Sequence, residues 1–96
     1  MQFIPDSYFL TTEVDLDLSH IYEGLHLKIQ QPIDVKFIVL DTSNTLIGYE
    51  QEPVQAGNYY HPQPGTDFVI LGQLFDNDGS VLPLLDKQYL LGSVVS

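Results

Sequence analysis

From position 13 the chain reads Glu13-Val14-Asp15-Leu16-Asp17-Leu18, a strict alternation of carboxylate and aliphatic side chain. A period of two sends successive side chains to opposite faces of an extended strand, so this run predicts a β-strand with one apolar face and one acidic face. The same periodicity recurs in Leu25, Leu27 and Ile29, which alternate with His26, Lys28 and Gln30. Val35-Lys36-Phe37-Ile38-Val39-Leu40 becomes apolar on both faces towards its end, as a central strand does, and Asp41-Thr42-Ser43-Asn44 supplies turn chemistry before Leu46-Ile47-Gly48-Tyr49. Gln51 to Thr66 holds Pro53, Pro62, Pro64, two glycines and Tyr59-Tyr60, and reads as a long surface loop. Phe68-Val69-Ile70-Leu71 and Val81-Leu82-Pro83-Leu84-Leu85 flank a tight Asp78-Gly79 connection, and Tyr89-Leu90-Leu91 closes the pattern. The expected fold is mainly β: an antiparallel sheet or small sandwich of five to six strands, with at most a brief helical turn around Ser19 to Glu23.

The 96 residues leave room for one core, so a single domain over 1–96 is expected. An apolar content of 44% is enough to pack it. The chain has no cysteine, which removes disulfides, thiol catalysis and zinc-thiolate sites together and suits a reducing, cytoplasmic setting. The start Met1-Gln2-Phe3-Ile4-Pro5-Asp6 carries no signal-peptide pattern, and no stretch has the length of a membrane span.

Thirteen carboxylates face three lysines and no arginine, giving a formal charge of −10. Nucleic acid and anionic membrane are therefore expected to repel the chain, and a basic protein partner to be attracted to it. Side chains at alternate strand positions recur about every 6.6 Å, so Glu13, Asp15 and Asp17 form a row able to imitate successive phosphates. The competing reading is the solvated face of an edge strand, charged against aggregation; a row of carboxylates with no interleaved cation is unusual for that purpose.

Catalytic and metal chemistry find little support. Counting back from Gly79 as the sixth position of a calcium loop places Leu74 first and Leu85 twelfth, where carboxylates are required. His20, His26 and His61 are dispersed without ligand spacing. Nothing resembles a nucleophile elbow or a phosphate loop. No enzyme activity, cofactor or metal is expected.

The run Pro83-Leu84-Leu85-Asp86-Lys87-Gln88-Tyr89-Leu90-Leu91 resembles the close of the staphylococcal-type uracil-DNA glycosylase inhibitors: Pro-Leu-Leu-Asp, two polar residues, then Tyr-Leu-Leu. Ile4-Pro5-Asp6-Ser7-Tyr8 and Leu46-Ile47-Gly48-Tyr49 resemble two further family patches in the same order. The resemblance implies an inhibitor that occupies the DNA-binding groove of the glycosylase, presents carboxylates in place of phosphates, and receives an intercalating apolar side chain in an apolar pocket. By position, Glu23 resembles a family contact aspartate, and His61, before Asp67-Phe68, a contact histidine. The family is α+β; its N-terminal helical segment, which supplies an acidic contact, has no counterpart in this sequence. Strand spacing nominates Glu13, Asp15 and Asp17 to replace it, with Glu50 and Glu52 in reserve. Pro83, Leu84, Leu85 and Tyr89 are the candidates for the pocket, and equally for plain core. Two alternatives stay open: a non-catalytic β-sandwich interaction domain, and an acidic inhibitor of another DNA-binding enzyme.

Overall fold

A computed structural model describes residues 1–6 and 11–93. Ser7 and Tyr8 of the first resembling patch lie outside the described residues. The fold is all-β and antiparallel, with no helix among the described residues. In chain order the strands are β1 (Gln2–Pro5), β2 (Thr11–Asp17), β3 (His26–Pro32), β4 (Phe37–Leu40), β5 (Thr45–Tyr49), β6 (Val54–Ala56), β7 (Tyr59–His61), β8 (Phe68–Phe75) and β9 (Tyr89–Ser93). Five of them form a sheet in the order β1-β8-β5-β4-β9, while β2-β3 and β6-β7 are separate two-stranded ribbons.

The alternation in β2 is realised residue by residue: Val14, Leu16 and Leu18 are buried, and Glu13, Asp15 and Asp17 are exposed. The buried side of the β2-β3 ribbon, completed by Ile29, packs on the sheet face made by Ile38, Leu40, Leu46, Leu71 and Leu74. An isolated hairpin is marginal in water, so this apolar contact is what holds the ribbon. On the opposite parity of the sheet Val39 and Tyr49 are also buried, which explains why β4 is apolar on both sides.

Two glycines are required by close approach. A Cβ on Gly72 would collide with the Ile4 carbonyl oxygen and stand 2.5 Å from the Phe3 ring, so β1 can lie along β8 only if position 72 is bare. A Cβ on Gly48 would meet both Val35 methyl carbons at 2.9 Å.

Several expectations are refined. The segment 51–66 is not an unstructured loop, because Gly57-Asn58 makes a two-residue turn, with Gly57 at φ 62°, between β6 and β7. The prolines bracket this hairpin rather than interrupt it. Val81 to Leu85 is not a strand: Val81 alone bridges Phe75, Pro83 has no N–H to donate, and the Leu85 N–H goes to the Thr42 carbonyl at 2.8 Å. Residues 18–25 form a closed turn, in which Leu18 N–H donates to Leu25 O and Tyr22 N–H to Leu18 O.

Asn44 joins these parts. It is fully buried and left-handed at φ 63°. Its Nδ2 donates to the Pro83 carbonyl at 3.0 Å, its Oδ1 accepts the Tyr22 hydroxyl, and its carbonyl accepts Leu74 N–H at 2.9 Å. Asn44→Ala removes both side-chain bonds and places a Cβ residue with no local polar compensation at positive φ. It should therefore cost about 3 kcal/mol in chemical denaturation, with Asn44→Gly about 1 kcal/mol milder because glycine tolerates the backbone. Equal losses for the two would show that the left-handed conformation contributes nothing.

Candidate functional site

Two surface features carry chemistry, and they meet at one end of the ribbon. The first is the acidic row. Glu13, Asp15 and Asp17 project outward from β2, with Gln30, Lys28 and His26 directly across on β3. One cation, Lys28, thus stands across the ribbon from the row, although none is interleaved along β2. Asp17 is further committed to its own turn: its Oδ1 accepts the Ser19 N–H at 2.9 Å and the Ser19 hydroxyl at 2.5 Å, and lies 3.9 Å from His26 Nδ1. The Ser19 bonds, aided by His26 and His20, hold its carboxyl below the ordinary aspartate value. Glu13 and Asp15 are therefore the carboxylates of the row most available to a partner.

The second feature is a groove of about 510 Å³ between the β3-β4 connection and the adjoining ends of β5 and β8. Pro32, Ile33, Val35, Gly48, Phe68 and Val69 line it, and Asp34, Glu50 and Asp67 supply its acidic groups. Ile33 is 63% exposed and Phe68 54%, so the groove presents two large apolar side chains to solvent. Phe68 is backed by the Tyr49 ring at 6.0 Å between centroids. Burial raises the Tyr49 hydroxyl above the usual tyrosine value, and Asp41 adds to the shift. Pro32 stands opposite Thr11 in register, so the groove opens at the ribbon end nearest Glu13.

The structure brings Glu50 and Asp67 together on the groove and places the remaining sequence-derived residues elsewhere. Glu23 is exposed in the 18–25 turn, His61 is exposed on β7, and Glu52 is exposed with its carbonyl accepting Gln63 Nε2 at 2.7 Å. Pro83 and Leu84 are exposed, Leu84 at 77%, whereas Leu85 and Tyr89 pack against the core. Tyr89 sits edge-on to His20 and carries Lys87 Nζ 5.1 Å above its ring. Gln88 clamps the same region: its Nε2 donates to Asp41 at 2.6 Å and its Oε1 accepts Tyr60 N–H at 2.5 Å. The Pro83 to Leu91 motif thus fastens the β4-β5 turn to β7 and β9, and none of it lines the groove.

Sequence reading overlooks Ile33, Asp34 and Phe68 as site residues. The available signal is an isoleucine set between Gln30-Gln31-Pro32 and an aspartate, in a stretch otherwise chemically suited to a turn. In the Asp76 to Ser80 turn, Ser80 occupies the Asp78 carboxylate through its hydroxyl at 2.6 Å and its N–H at 2.9 Å, lowering that group also. Comparison with protein-family models, curated proteins and solved structures finds no match to this chain. No helix among the described residues is long and apolar enough to cross a membrane.

Asp17 provides a direct check on this geometry. A carboxyl held low in the folded state contributes stability above its unfolded value, and the contribution fades as pH falls through the folded value, below about pH 4. Carboxyl-carbon NMR should place the Asp17 midpoint below the ordinary aspartate value, and Ser19→Ala should move it upward. An unmoved midpoint would mean that the Ser19 bonds do not form in solution.

Proposed function

We propose that this chain is an acidic DNA mimic that binds uracil-DNA glycosylase and blocks its DNA-binding groove. The observation that carries the reading is the β2 row, in which Glu13, Asp15 and Asp17 are held outward by burial of Val14, Leu16 and Leu18. A strand locked in register spaces its carboxylates before any partner arrives, so little entropy is lost in ordering them on binding. The formal −10 charge supports rapid steering toward a basic groove. The apolar groove beside the row supports the resemblance's requirement for a receptacle, and Ile47-Gly48-Tyr49 of a resembling patch contributes its Gly48 wall.

The mechanism is occlusion. Carboxylates take the place of phosphates on the glycosylase's cationic residues, while an inserted apolar side chain loses water in the groove and slows release. The excision chemistry of the glycosylase is left untouched, and neither a cofactor nor a metal takes part. Such an inhibitor works in the cytoplasm on a repair enzyme and has no use for nucleic acid or membrane contact of its own.

One observation favours a second reading. Lys28 opposite Asp15 and His26 opposite Asp17 suit an ordinary solvated face, and hence a plain β interaction domain. A uracil-excision assay separates the two: near-equimolar protein should abolish excision in competition with DNA and be indifferent to EDTA. Full excision at tenfold excess would refute inhibition. The double change Glu13→Gln and Asp15→Asn, which spares the Asp17 turn, should weaken affinity by about 2 kcal/mol, roughly thirtyfold. Asp76→Asn with Asp78→Asn should change it less than about threefold. The reverse ranking would place the mimicking face elsewhere.

A further inference from the structure

We propose that His20 and His26 make the Asp17 end of the acidic row a pH-sensitive switch, which releases a cationic partner as pH falls through the imidazole range. The switch regulates the row proposed above as the partner-binding face, and it rests on that reading.

Two of the chain's three histidines converge on this end of the ribbon. His26 stands directly across from Asp17, with its Nδ1 3.9 Å from Asp17 Oδ1. His20 lies in the closed 18–25 turn and also acts electrostatically on the Asp17 carboxylate. The turn fixes both imidazoles. Leu18 N–H donates to Leu25 O at 3.0 Å, immediately before His26, and His20 rests edge-on against Tyr89 with ring centroids 6.3 Å apart. Asp17 is anchored beside them, because its Oδ1 accepts both the N–H and the hydroxyl of Ser19. Backbone and packing therefore hold the three groups together, independently of the ion pair itself.

Imidazole is the side chain whose ordinary titration range falls between about pH 5 and 8. Carboxylate, ammonium and phenol side chains hold their charge state over that range. Those placed around the pair are Asp17 on β2, Lys28 on β3, Tyr22 and Glu23 in the turn, and Tyr89 with Lys87 and Asp86 beside its ring. The imidazoles are thus the groups that change. With both neutral, the trio of Asp17, His20 and His26 carries one negative charge; with both protonated it carries one positive charge. The row then offers Glu13 and Asp15 beside a cationic end that repels the lysines and arginines of a partner.

The test is binding of a capped octa-arginine peptide to the intact chain, followed by amide NMR at about pH 7.5 and about pH 5.5, since guanidinium stays charged throughout. At the higher pH the peptide should shift the Glu13 and Asp15 amides, and at the lower pH its affinity should fall on the order of tenfold. The double variant His20→Gln and His26→Gln should change by less than about threefold between the same conditions. Both positions are exposed, so glutamine leaves the fold intact. His61→Gln, on β7, should respond like the parent. An unchanged parent affinity, a double variant that falls as far as the parent, a response lost with His61, or no shift in β2 at either pH would each overturn the switch. Uracil excision is measured separately at the higher pH. Intact inhibition beside a flat peptide response removes the switch alone, and a switching peptide response beside absent inhibition removes the glycosylase reading alone.

Discussion

A single buried asparagine ties together elements that the strand ladders leave separate. Asn44 ends the β4-β5 turn in a left-handed conformation, and its side chain and carbonyl reach the 18–25 turn through Tyr22, the 81–88 connection through Pro83, and β8 through Leu74. Buried amides are tolerated only when their hydrogen bonds are met, and Asn44 meets its own by drawing three segments onto one turn. The ribbon that carries the acidic row is thereby fixed at its turn end by a polar contact, and along its length by Val14, Leu16, Leu18 and Ile29. Without that double attachment, a two-stranded ribbon would present its carboxylates as a fluctuating set.

The geometry separates two roles that lie side by side in the chain. In β2 the aliphatic residues are buried for stability and the carboxylates between them face solvent, so folding and recognition use different faces of one strand. In the Pro83 to Leu91 motif the balance differs: Pro83, Leu85, Gln88 and Tyr89 are drawn into hydrogen bonds or core contacts, and Leu84 stays in water. On the groove, Ile33 and Phe68 also offer apolar surface to solvent, beside the carboxylates of Asp34, Glu50 and Asp67. A net charge of −10 repels itself, and the structure moderates this locally by setting Lys28 across from Asp15.

Local alternation makes β2, β3 and the β4-β5 hairpin legible in the amino-acid sequence, because burial on one face writes itself into every second residue. The β6-β7 hairpin is obscured by flanking prolines, although Gly57-Asn58 carries its turn. β1 leaves no such trace, because Gln2-Phe3-Ile4-Pro5 has no alternation; it exists through non-local pairing with β8 and the bare surface of Gly72. The candidate site divides the same way. The acidic row is a property of one strand and can be read from it. The groove is assembled from positions 32–35, 48–50 and 67–69, whose proximity depends on strand order and not on spacing.

The most direct measurement is cross-saturation transfer from unlabelled uracil-DNA glycosylase to the deuterated, nitrogen-labelled chain. If the chain is a DNA mimic that uses the acidic row and the adjoining groove, saturation concentrates on residues 11–17, 32–35, 48–50 and 67–69 and leaves the 76–80 turn unaffected. Saturation centred on 76–80, or none at all with both proteins at high concentration, contradicts it.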